Sequence, residues 1–381
     1  MGDFRLGSVF GFEIRIDFSW FIIFALILWS FSFGVFPASF PGLSAVTYIG
    51  MGVAGTLLFF ASLLAHELSH SLVARTKGIP VEGITLFIFG GMARTRLEAE
   101  EPGDEFYIAV AGPLSSIVIG LLFGLVWWVG RRAGWSIAVT GVAGYLGMLN
   151  VALAVFNLLP GFPLDGGRLF RSLVWKMTGD VTKATRFAST GGKWLGYVLV
   201  GLGILQAFSG NVLGGLWLVF IGWFLRNAAI TSYEQHLIRM VLEGVRAAET
   251  MTRNPETVPS HLTVQQLVDD YFMRRRYQAF PVVDDGHPVG IVTINQVKEL
   301  PREEWPTRTV GSIMAPAREG VTVRPEERMT HVLEKMEGSG LRRVLVTRDG
   351  RLEGIITATD VAGWLDRVRQ LGMERPARRP S

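Results

Sequence analysis

Long apolar runs alternate with short polar segments over the first 230 residues, whereas the rest of the chain is mostly polar. A membrane-spanning helix needs about 20 consecutive, mainly apolar residues. Six runs approach this length and predict six spans, of which the last two are shorter, rich in glycine and most simply a helical hairpin. The predicted spans cover residues 18–36, 48–74, 105–129, 137–159, 193–208 and 212–225.

Two segments outside these runs show features of strands. Residues 1–17 alternate between apolar and polar side chains, which indicates either a strand along the membrane surface or a disordered tail. Residues 78–96 contain a strand-like run before Gly90 and Gly91, so they form either a hairpin beside the second span or a plain loop. The edge of such a hairpin could pair with an extended peptide.

The second apolar run carries a cluster of ionisable residues, His66, Glu67 and His70. Such residues are costly within a membrane unless they have a function. On a helix the two histidines share one face, where both imidazoles can bind one metal ion, by default zinc. Glu67 could then take a proton from a water molecule beside the metal and later pass it to a leaving amine. Alternatively, the three side chains pair with one another or line a polar seam.

The fourth run ends in a segment that a helix cannot continue, because residues 157–168 contain two prolines and three glycines. Non-helical backbone at membrane depth is tolerated only where it is buried in protein or lines a cavity. Two crossings separate Asp165 from His70, so Asp165 returns to the side of the histidines. It could complete a ligand set of His66, His70 and Asp165 that leaves a fourth position for water. The alternative is a turn or helix-cap role for Asp165.

Composition agrees with a membrane protein and excludes several other classes. Hydrophobic residues make up 49% of the chain, charged residues make up 18%, and the mean hydropathy is +0.33. The net charge of +4 is small, and the basic residues of the first part cluster in short loops, which argues against nucleic-acid binding. Most of these loops lie on the side of the termini, so the positive-inside rule predicts a multi-pass protein of the cell membrane with cytoplasmic N- and C-termini. The chain has no cysteine, which excludes thiol catalysis.

The polar part of the chain contains an internal repeat. Residues 280–293 match residues 344–357, and each copy reads as a strand, an Asp-Gly turn and a second strand, preceded by an amphipathic helix. These features predict a membrane domain at 1–230, a linker at 231–246, two repeat domains at 247–306 and 307–370, and a disordered tail at 371–381.

Three motifs together resemble the site-2 protease family of intramembrane zinc metalloproteases over roughly residues 17–230. They are the His-Glu-x-x-His sequence at 66–70, Gly-Pro at 112–113, and the segment 157–168 with its Leu-Asp-Gly-Gly-Arg. The resemblance implies one zinc ion per chain, bound by His66, His70 and Asp165, with Glu67 as the catalytic base. It also implies that Asn157 contacts the substrate backbone or an oxyanion, although Asn157 could equally cap the broken helix. The implied substrate is a transmembrane or membrane-proximal segment of another membrane protein, in contact with membrane lipid.

The repeats of the polar part resemble a tandem pair of CBS domains. This resemblance implies that the two copies pack together and can bind an adenine nucleotide between them. Thr357 and Asp360 match the ribose-binding residues of that family, whereas the first repeat has Gln296 at the position of the acid. The alternative is a pair that serves only to form a homo-oligomer.

The sequence therefore predicts a polytopic α-helical membrane domain of about six transmembrane helices, followed by a soluble α/β CBS-domain pair. The predicted function is that of a zinc endopeptidase whose cytoplasmic CBS pair regulates activity or assembly. One alternative is a transporter or channel gated by the CBS pair, in which the ionisable membrane residues form an ion path. Transporters often contain repeats among their spans, and none is evident in this sequence. A catalytically idle scaffold is a further alternative, which the intact set of ionisable residues argues against.

Overall fold

The computed structural model describes residues 4–88, 90–95, 99–317, 321–339 and 342–371. The chain divides into two compact units, Met1–Glu234 and Gln235–Ser381, and the boundary lies within one long helix. The first unit contains the apolar runs, and the second unit contains the repeat.

The first unit is built mainly of helices. These are α1 (Phe18–Ser30), α2 (Phe36–Ser39), α3 (Ala45–Thr76), α4 (Pro102–Arg132), α5 (Ile137–Asn157), α6 (Asp165–Thr178), α7 (Val181–Phe208) and α8 (Val212–Glu243). A π-helical turn, Phe31–Val35, joins α1 to α2. The side chains of Asp17 and Ser44 accept hydrogen bonds from the first turns of α1 and α3, which explains where these helices begin.

Five helical segments in the described part of the first unit have the length and apolar composition to cross a membrane. They are Phe18–Ser39, α3, α4, α5 and α8. The predicted span at 193–208 is the second half of α7, which begins with Lys193, and the first half carries Lys183 and Arg186. The prediction placed these basic residues in a loop, which is wrong, because lysine and arginine interrupt an apolar run without interrupting a helix.

The helices α7 and α8 pack closely at two pairs of glycines, as expected for the predicted helical hairpin. A methyl group on Gly196 would lie 2.6 Å from the Gly222 carbonyl oxygen, and one on Gly203 would lie 2.6 Å from the Gly215 carbonyl oxygen. Such approaches leave no room for a side chain and are typical of helix pairs in membranes. α8 also continues beyond the predicted end at residue 225 and ends at Glu243.

Four strands of the first unit, β1 (Phe4–Val9), β2 (Phe12–Ile16), β3 (Val81–Phe87) and β4 (Gly90–Thr95), form one sheet in the order β1-β2-β3-β4. Strands β3 and β4 are antiparallel, so the predicted hairpin is confirmed. Strand β2 pairs in parallel with β3, which favours the strand over the disordered tail near the N-terminus. Residues 1–3, 89 and 96 of the two predicted segments lie outside the described residues.

The sheet packs against one face of α3. A buried cluster joins Leu68 of α3 to the strand residues Phe12, Ile14, Ile84 and Leu86. Leu68 lies between the two histidines of the predicted metal motif. The helical repeat of 3.6 residues turns Leu68 toward the sheet, so the same helical turn that anchors the sheet also presents the histidines to a neighbouring helix.

The second unit contains two copies of a hairpin with a tight turn. The turn residues Asp285 and Gly286 have φ of 52° and 79°, and Asp349 and Gly350 have φ of 50° and 77°. Two consecutive positive φ angles are the conformation of a two-residue hairpin turn. The predicted repeat of strand, turn and strand is therefore confirmed.

The strands of the second unit form two sheets, and one buried cluster joins the two copies. The strands are β5 (Thr252–Arg253), β6 (Ala279–Asp284), β7 (His287–Thr293), β8 (Ala315–Pro316), β9 (Thr322–Val323), β10 (Arg343–Arg348) and β11 (Arg351–Thr357). The sheet orders are β5-β11-β10-β9 and β6-β7-β8. Ile291 of the first copy shares a buried cluster with Leu345 and Ile355 of the second, so the copies pack together.

Short helices complete both copies of the repeat. They are α9 (Ala247–Thr250), α10 (Val264–Gln266), α11 (Ile294–Lys298), α12 (Val310–Ile313), α13 (Met329–Ser339) and α14 (Ala358–Gln370). A π-helical segment, Leu267–Phe272, continues α10, and a short 3-10 turn, Arg302–Glu304, follows α11. Residues 372–381 of the predicted disordered tail lie outside the described residues.

Candidate metal centre

Helix α3 presents His66 and His70 to α4. The two residues lie four apart, which places their side chains one above the other on the same helix face. Both are buried, with 2% and 7% of their surface exposed. Their Nε2 atoms are 3.2 Å apart. The two imidazoles of the predicted metal motif are therefore brought together in the structure.

Hydrogen bonds to α4 orient both imidazoles. His70 Nδ1 lies 2.6 Å from the carbonyl oxygen of Ile108, and His66 Nδ1 lies 2.8 Å from Ser116 Oγ. A carbonyl oxygen can only accept a hydrogen bond, so His70 Nδ1 donates, and Nε2 of the neutral ring keeps its lone pair. Proteins commonly hold metal-binding histidines in this way: the ring nitrogen that does not bind the metal forms a hydrogen bond to a carboxylate, a backbone carbonyl or water.

Asp165 joins the two histidines from α6. Its Oδ2 lies 3.1 Å from His66 Nε2 and 3.2 Å from His70 Nε2. Asp165 is the first residue of α6, and Leu164 occupies the cap position. The carboxylate is therefore directed at the histidines, which speaks against the cap alternative for this residue.

The three converging atoms fit a tetrahedral zinc ion. Zinc binds imidazole nitrogen and carboxylate oxygen at about 2.0–2.2 Å, so two tetrahedral ligand atoms are about 3.3–3.6 Å apart. The separations among His66 Nε2, His70 Nε2 and Asp165 Oδ2 are 3.1, 3.2 and 3.2 Å, close to that value. Because the neutral ring of His70 and the carboxylate both present lone pairs, the cluster needs a cation, either a proton or a metal ion.

Gly112 of α4 borders the cluster on one side. A methyl group at this position would lie 2.2 Å from His70 Nε2 and 2.6 Å from His66 Nε2. Only glycine leaves the space beside these two nitrogen atoms open. The Gly-Pro motif of the sequence thus has a specific place at the cluster.

Glu67 lies beside the cluster and next to the edge strand β4. A methyl group on Gly91 would lie 2.3 Å from Glu67 Cγ, so the backbone of β4 approaches this side chain directly. A cavity of about 690 Å³ is lined by Glu67, the three clustered residues and Asn157, the last residue of α5. Its other walls are mostly apolar and come from α1, α3, α5 and α8.

Comparison with known proteins identifies the family of the chain. The model of peptidase family M50 matches residues 54–131 and 129–199, and the CBS domain model matches residues 245–303 and 310–367. Rip3 of Mycobacterium tuberculosis, which is named as a candidate zinc metalloprotease, is 38% identical over 97% of this chain and 94% of its own length. The chain belongs to peptidase family M50.

A second curated relative of this M50 peptidase supports the same assignment. A candidate zinc metalloprotease of Synechocystis sp. is 34% identical, and the match covers 94% of each chain. The solved structure of the site-2 protease from Methanocaldococcus jannaschii shares 26% identity and a TM-score of 0.43, over 61% of this chain and 95% of that protease. The predicted site-2 protease family, zinc metallopeptidase class and tandem CBS pair are confirmed, and the transporter alternative is not favoured.

A buried ion pair holds α6 of the M50 peptidase against α4. Arg171 Nε donates to Glu105 Oε1 at 2.6 Å, and a second guanidinium nitrogen of Arg171 contacts the same oxygen. Glu105 is fully buried, and 8% of the surface of Arg171 is exposed. Because α6 begins with Asp165 and α4 carries Gly112, this pair fixes two walls of the metal centre relative to each other. It was not among the predicted site residues.

Thr357 and Asp360, the predicted nucleotide-binding residues of the CBS pair, meet at the N-terminus of α14. Asp360 Oδ2 accepts from the Thr357 backbone N–H at 2.8 Å and from its hydroxyl at 2.6 Å, while Oδ1 accepts from the Thr252 hydroxyl at 2.9 Å. In the first repeat, Gln296 accepts from the Thr293 N–H at 2.7 Å in the same way. Both pairs form a capping box, which stabilises a helix without any ligand.

Proposed function

We propose that this M50 peptidase is an intramembrane zinc endopeptidase that hydrolyses a peptide bond in or near a transmembrane segment of another membrane protein, as a step of regulated intramembrane proteolysis. One observation carries the proposal: His66 Nε2, His70 Nε2 and Asp165 Oδ2 converge at 3.1–3.2 Å beside a helix long and apolar enough to span a membrane. We assign these residues as the ligands of one zinc ion per chain, with Glu67 as the catalytic base.

Each polar residue at the site then has a chemical task. A bound zinc ion would polarise the scissile carbonyl and make a neighbouring water molecule more acidic. Glu67 takes a proton from the attacking water and passes it to the leaving amine. Asn157 lines the same cavity and donates from its amide to the substrate backbone or to the developing oxyanion.

The substrate segment has to be extended at the scissile bond, because a helix uses its carbonyl groups in its own hydrogen bonds. The edge strand β4 lies beside Glu67, where its main-chain groups can pair with an extended peptide. Helix-breaking residues in the substrate should therefore promote cleavage, since they make unwinding easier.

The proposed topology is a multi-pass protein of the cell membrane with both termini in the cytoplasm. It requires an even number of crossings, so residues 193–208 of α7 form the sixth span beside the five apolar helices. The close glycine contacts between α7 and α8 support this hairpin. The proposed domains are a protease domain at 1–230, a linker at 231–246, and CBS domains at 247–306 and 307–370.

The CBS pair is proposed to regulate activity or assembly by binding an adenine nucleotide near Thr357 and Asp360. The family match and the placement of both residues at one helix N-terminus support this assignment. Assembly into a homo-oligomer without a nucleotide is the alternative. In calorimetric titrations of the purified protein with ATP, ADP and AMP, heat that disappears in Asp360→Ala would support binding. The absence of heat with all three would leave assembly as the role of the pair.

Zinc content tests the central proposal. Wild-type protein purified in detergent is expected to contain about one zinc ion per chain by mass spectrometry, and Asp165→Ala should lose most of it. Asp104→Ala is a matched control, because Asp104 forms an ion pair with Lys77 at 2.8 Å, outside the cluster. Wild-type protein without zinc, or Asp165→Ala protein with the full zinc content, would contradict the assignment.

A further inference from the structure

Arg168 lies one turn after Asp165 on α6. Residues three apart share a helix face, so Arg168 extends along the side of α6 that carries Asp165. Its side chain lines the cavity of the metal centre and interacts electrostatically with Glu67. Since 35% of the side chain is exposed, a cation reaches the space that a substrate has to enter.

The buried acid Glu105 does not depend on Arg168 for a hydrogen bond. Its Nε lies 3.9 Å from Glu105 Oε1, which is too long for a hydrogen bond. Arg171, one turn further along α6, donates to that oxygen at 2.6 Å. Within the described part of the chain, the Arg168 guanidinium donates no hydrogen bond, so its five N–H groups are available in the cavity.

We propose that Arg168 is a catalytic residue of the hydrolysis, in which its guanidinium donates hydrogen bonds to the oxyanion formed from the scissile carbonyl oxygen. The proposal rests on the proposed function. When water attacks the carbonyl carbon, a C–O bond forms and the π electrons of the carbonyl move onto its oxygen, beside Arg168. When the C–N bond breaks, those electrons return to re-form the carbonyl, and the amine leaves with the proton that Glu67 delivers. Arg168 keeps its charge throughout.

A guanidinium on a fixed helix suits this task. It is planar, permanently charged and carries its donors in a rigid fork. The ion pair between Arg171 and Glu105 holds α6 in place, so the backbone of Arg168 is fixed relative to the cavity. Asn157 lines the same cavity, but its neutral amide cannot replace the positive charge. An interaction made only in the transition state raises kcat and leaves KM nearly unchanged.

Arg168→Ala and Arg168→Lys test the proposal on the full chain in detergent, with Lys176→Ala as the control. Lys176 is exposed in the last turn of α6, so its removal deletes the same charge from the same helix outside the cavity. The substrate is a quenched fluorescent peptide, apolar over about 20 residues, with a central Asn-Pro helix break. We expect kcat to fall about 100-fold in Arg168→Ala with little change in KM, to be intermediate in Arg168→Lys, and to be unchanged in Lys176→Ala.

Binding of a transition-state analogue provides a readout independent of turnover. A phosphinate version of the peptide carries a tetrahedral anion at the scissile position, and Arg168→Ala should bind it about 100-fold more weakly than wild type. Zinc content and the melting temperature should stay at wild-type values, and added guanidinium ion should restore part of kcat.

Three results would overturn the role of Arg168. They are wild-type kcat in Arg168→Ala, unchanged affinity for the phosphinate, and a loss of kcat that is matched by loss of zinc or a lower melting temperature. If wild-type protein neither holds zinc nor cleaves the peptide, the proposed function itself fails, and the role of Arg168 fails with it.

Discussion

Each unit of the protein gathers a small set of polar side chains around one carboxylate, but Asp165 faces two imidazole rings, whereas Asp360 faces hydroxyl and backbone N–H donors. At the metal centre, His70 Nε2 and Asp165 Oδ2 face each other at 3.2 Å in a buried site. At the start of α14, by contrast, Asp360 accepts hydrogen bonds from Thr252 and Thr357. A cluster of buried acceptors requires a cation, whereas a cluster with satisfied hydrogen bonds is stable without a ligand.

This difference determines how much each sequence motif says about function. A His-Glu-x-x-His motif in an apolar run is costly in a membrane, and neutral residues would fill the same structural role at lower cost. A Thr-x-x-Asp motif at the start of a helix is also an ordinary capping box. The first motif therefore points to chemistry by itself, while the second needs a direct test of binding.

Removal of the proposed proton acceptor in the membrane unit should have the largest effect. Glu67→Gln should reduce the cleavage rate by about 10⁴-fold, because the amide cannot take a proton from water. Zinc content should stay at the wild-type value, since no ligand is altered. Peptide cleavage and mass spectrometry measure the two quantities, with Glu82→Gln, an exposed acid of β3, as the control. Wild-type cleavage by Glu67→Gln would require a different base.

The ion pair that holds α6 on α4 should have the next largest effect. Arg171→Ala leaves the fully buried Glu105 without its main partner, and breaking such a pair costs about 3–5 kcal/mol. A markedly lower melting temperature is expected in detergent. The double variant Glu105→Leu with Arg171→Leu should recover much of this loss, because it removes both buried charges. Equal melting temperatures for Arg171→Ala and wild type would show that the pair does not stabilise the membrane unit.

A single methyl group at the metal centre should produce a smaller but specific effect. In Gly112→Ala the new Cβ would lie 2.2 Å from His70 Nε2, so zinc affinity should fall by about 10- to 100-fold as the ligands shift. Gly124→Ala is the matched control on the same helix, because a methyl group there meets no atom within 4 Å. Competition with a zinc chelator measures both affinities. If the two variants bind zinc equally well, Gly112 is not part of the metal centre.

Sequence reasoning finds the candidate metal centre because its residues are unusual for the segments in which they lie. His66 and His70 interrupt an apolar run, and Asp165 lies in a segment whose prolines and glycines exclude a regular helix up to that point. Counting membrane crossings is enough to place these residues on the same side. The hairpin β3-β4 was also predictable, since a strand-like run precedes two glycines.

Other features depend on contacts that no local pattern shows. Glu105 lies at the beginning of an apolar run and Arg171 lies in an amphipathic stretch, so each reads as an ordinary charge near the membrane surface. Only the packing of α6 on α4 brings them together. The polar first half of α7 was missed for a different reason. Hydropathy indicates whether a segment inserts into a membrane, whereas helix formation depends on backbone preferences. Lysine and arginine are good helix formers although they are not apolar.

Loss of the capping side chain at α14 should have the smallest effect. It tests whether the polar cluster of the second unit binds a nucleotide or, unlike the candidate metal centre, serves only to stabilise a helix. Asp360→Ala and Gln296→Ala each remove a capping side chain, so each should destabilise the second unit by about 1 kcal/mol. If AMP binds near Asp360, a concentration of 100 Kd adds about 2.7 kcal/mol of stability to wild type and Gln296→Ala but little to Asp360→Ala. Melting temperatures with and without AMP measure this difference. An AMP shift of the same size in both variants would place any nucleotide away from Asp360, and no shift in any protein would make both motifs purely structural.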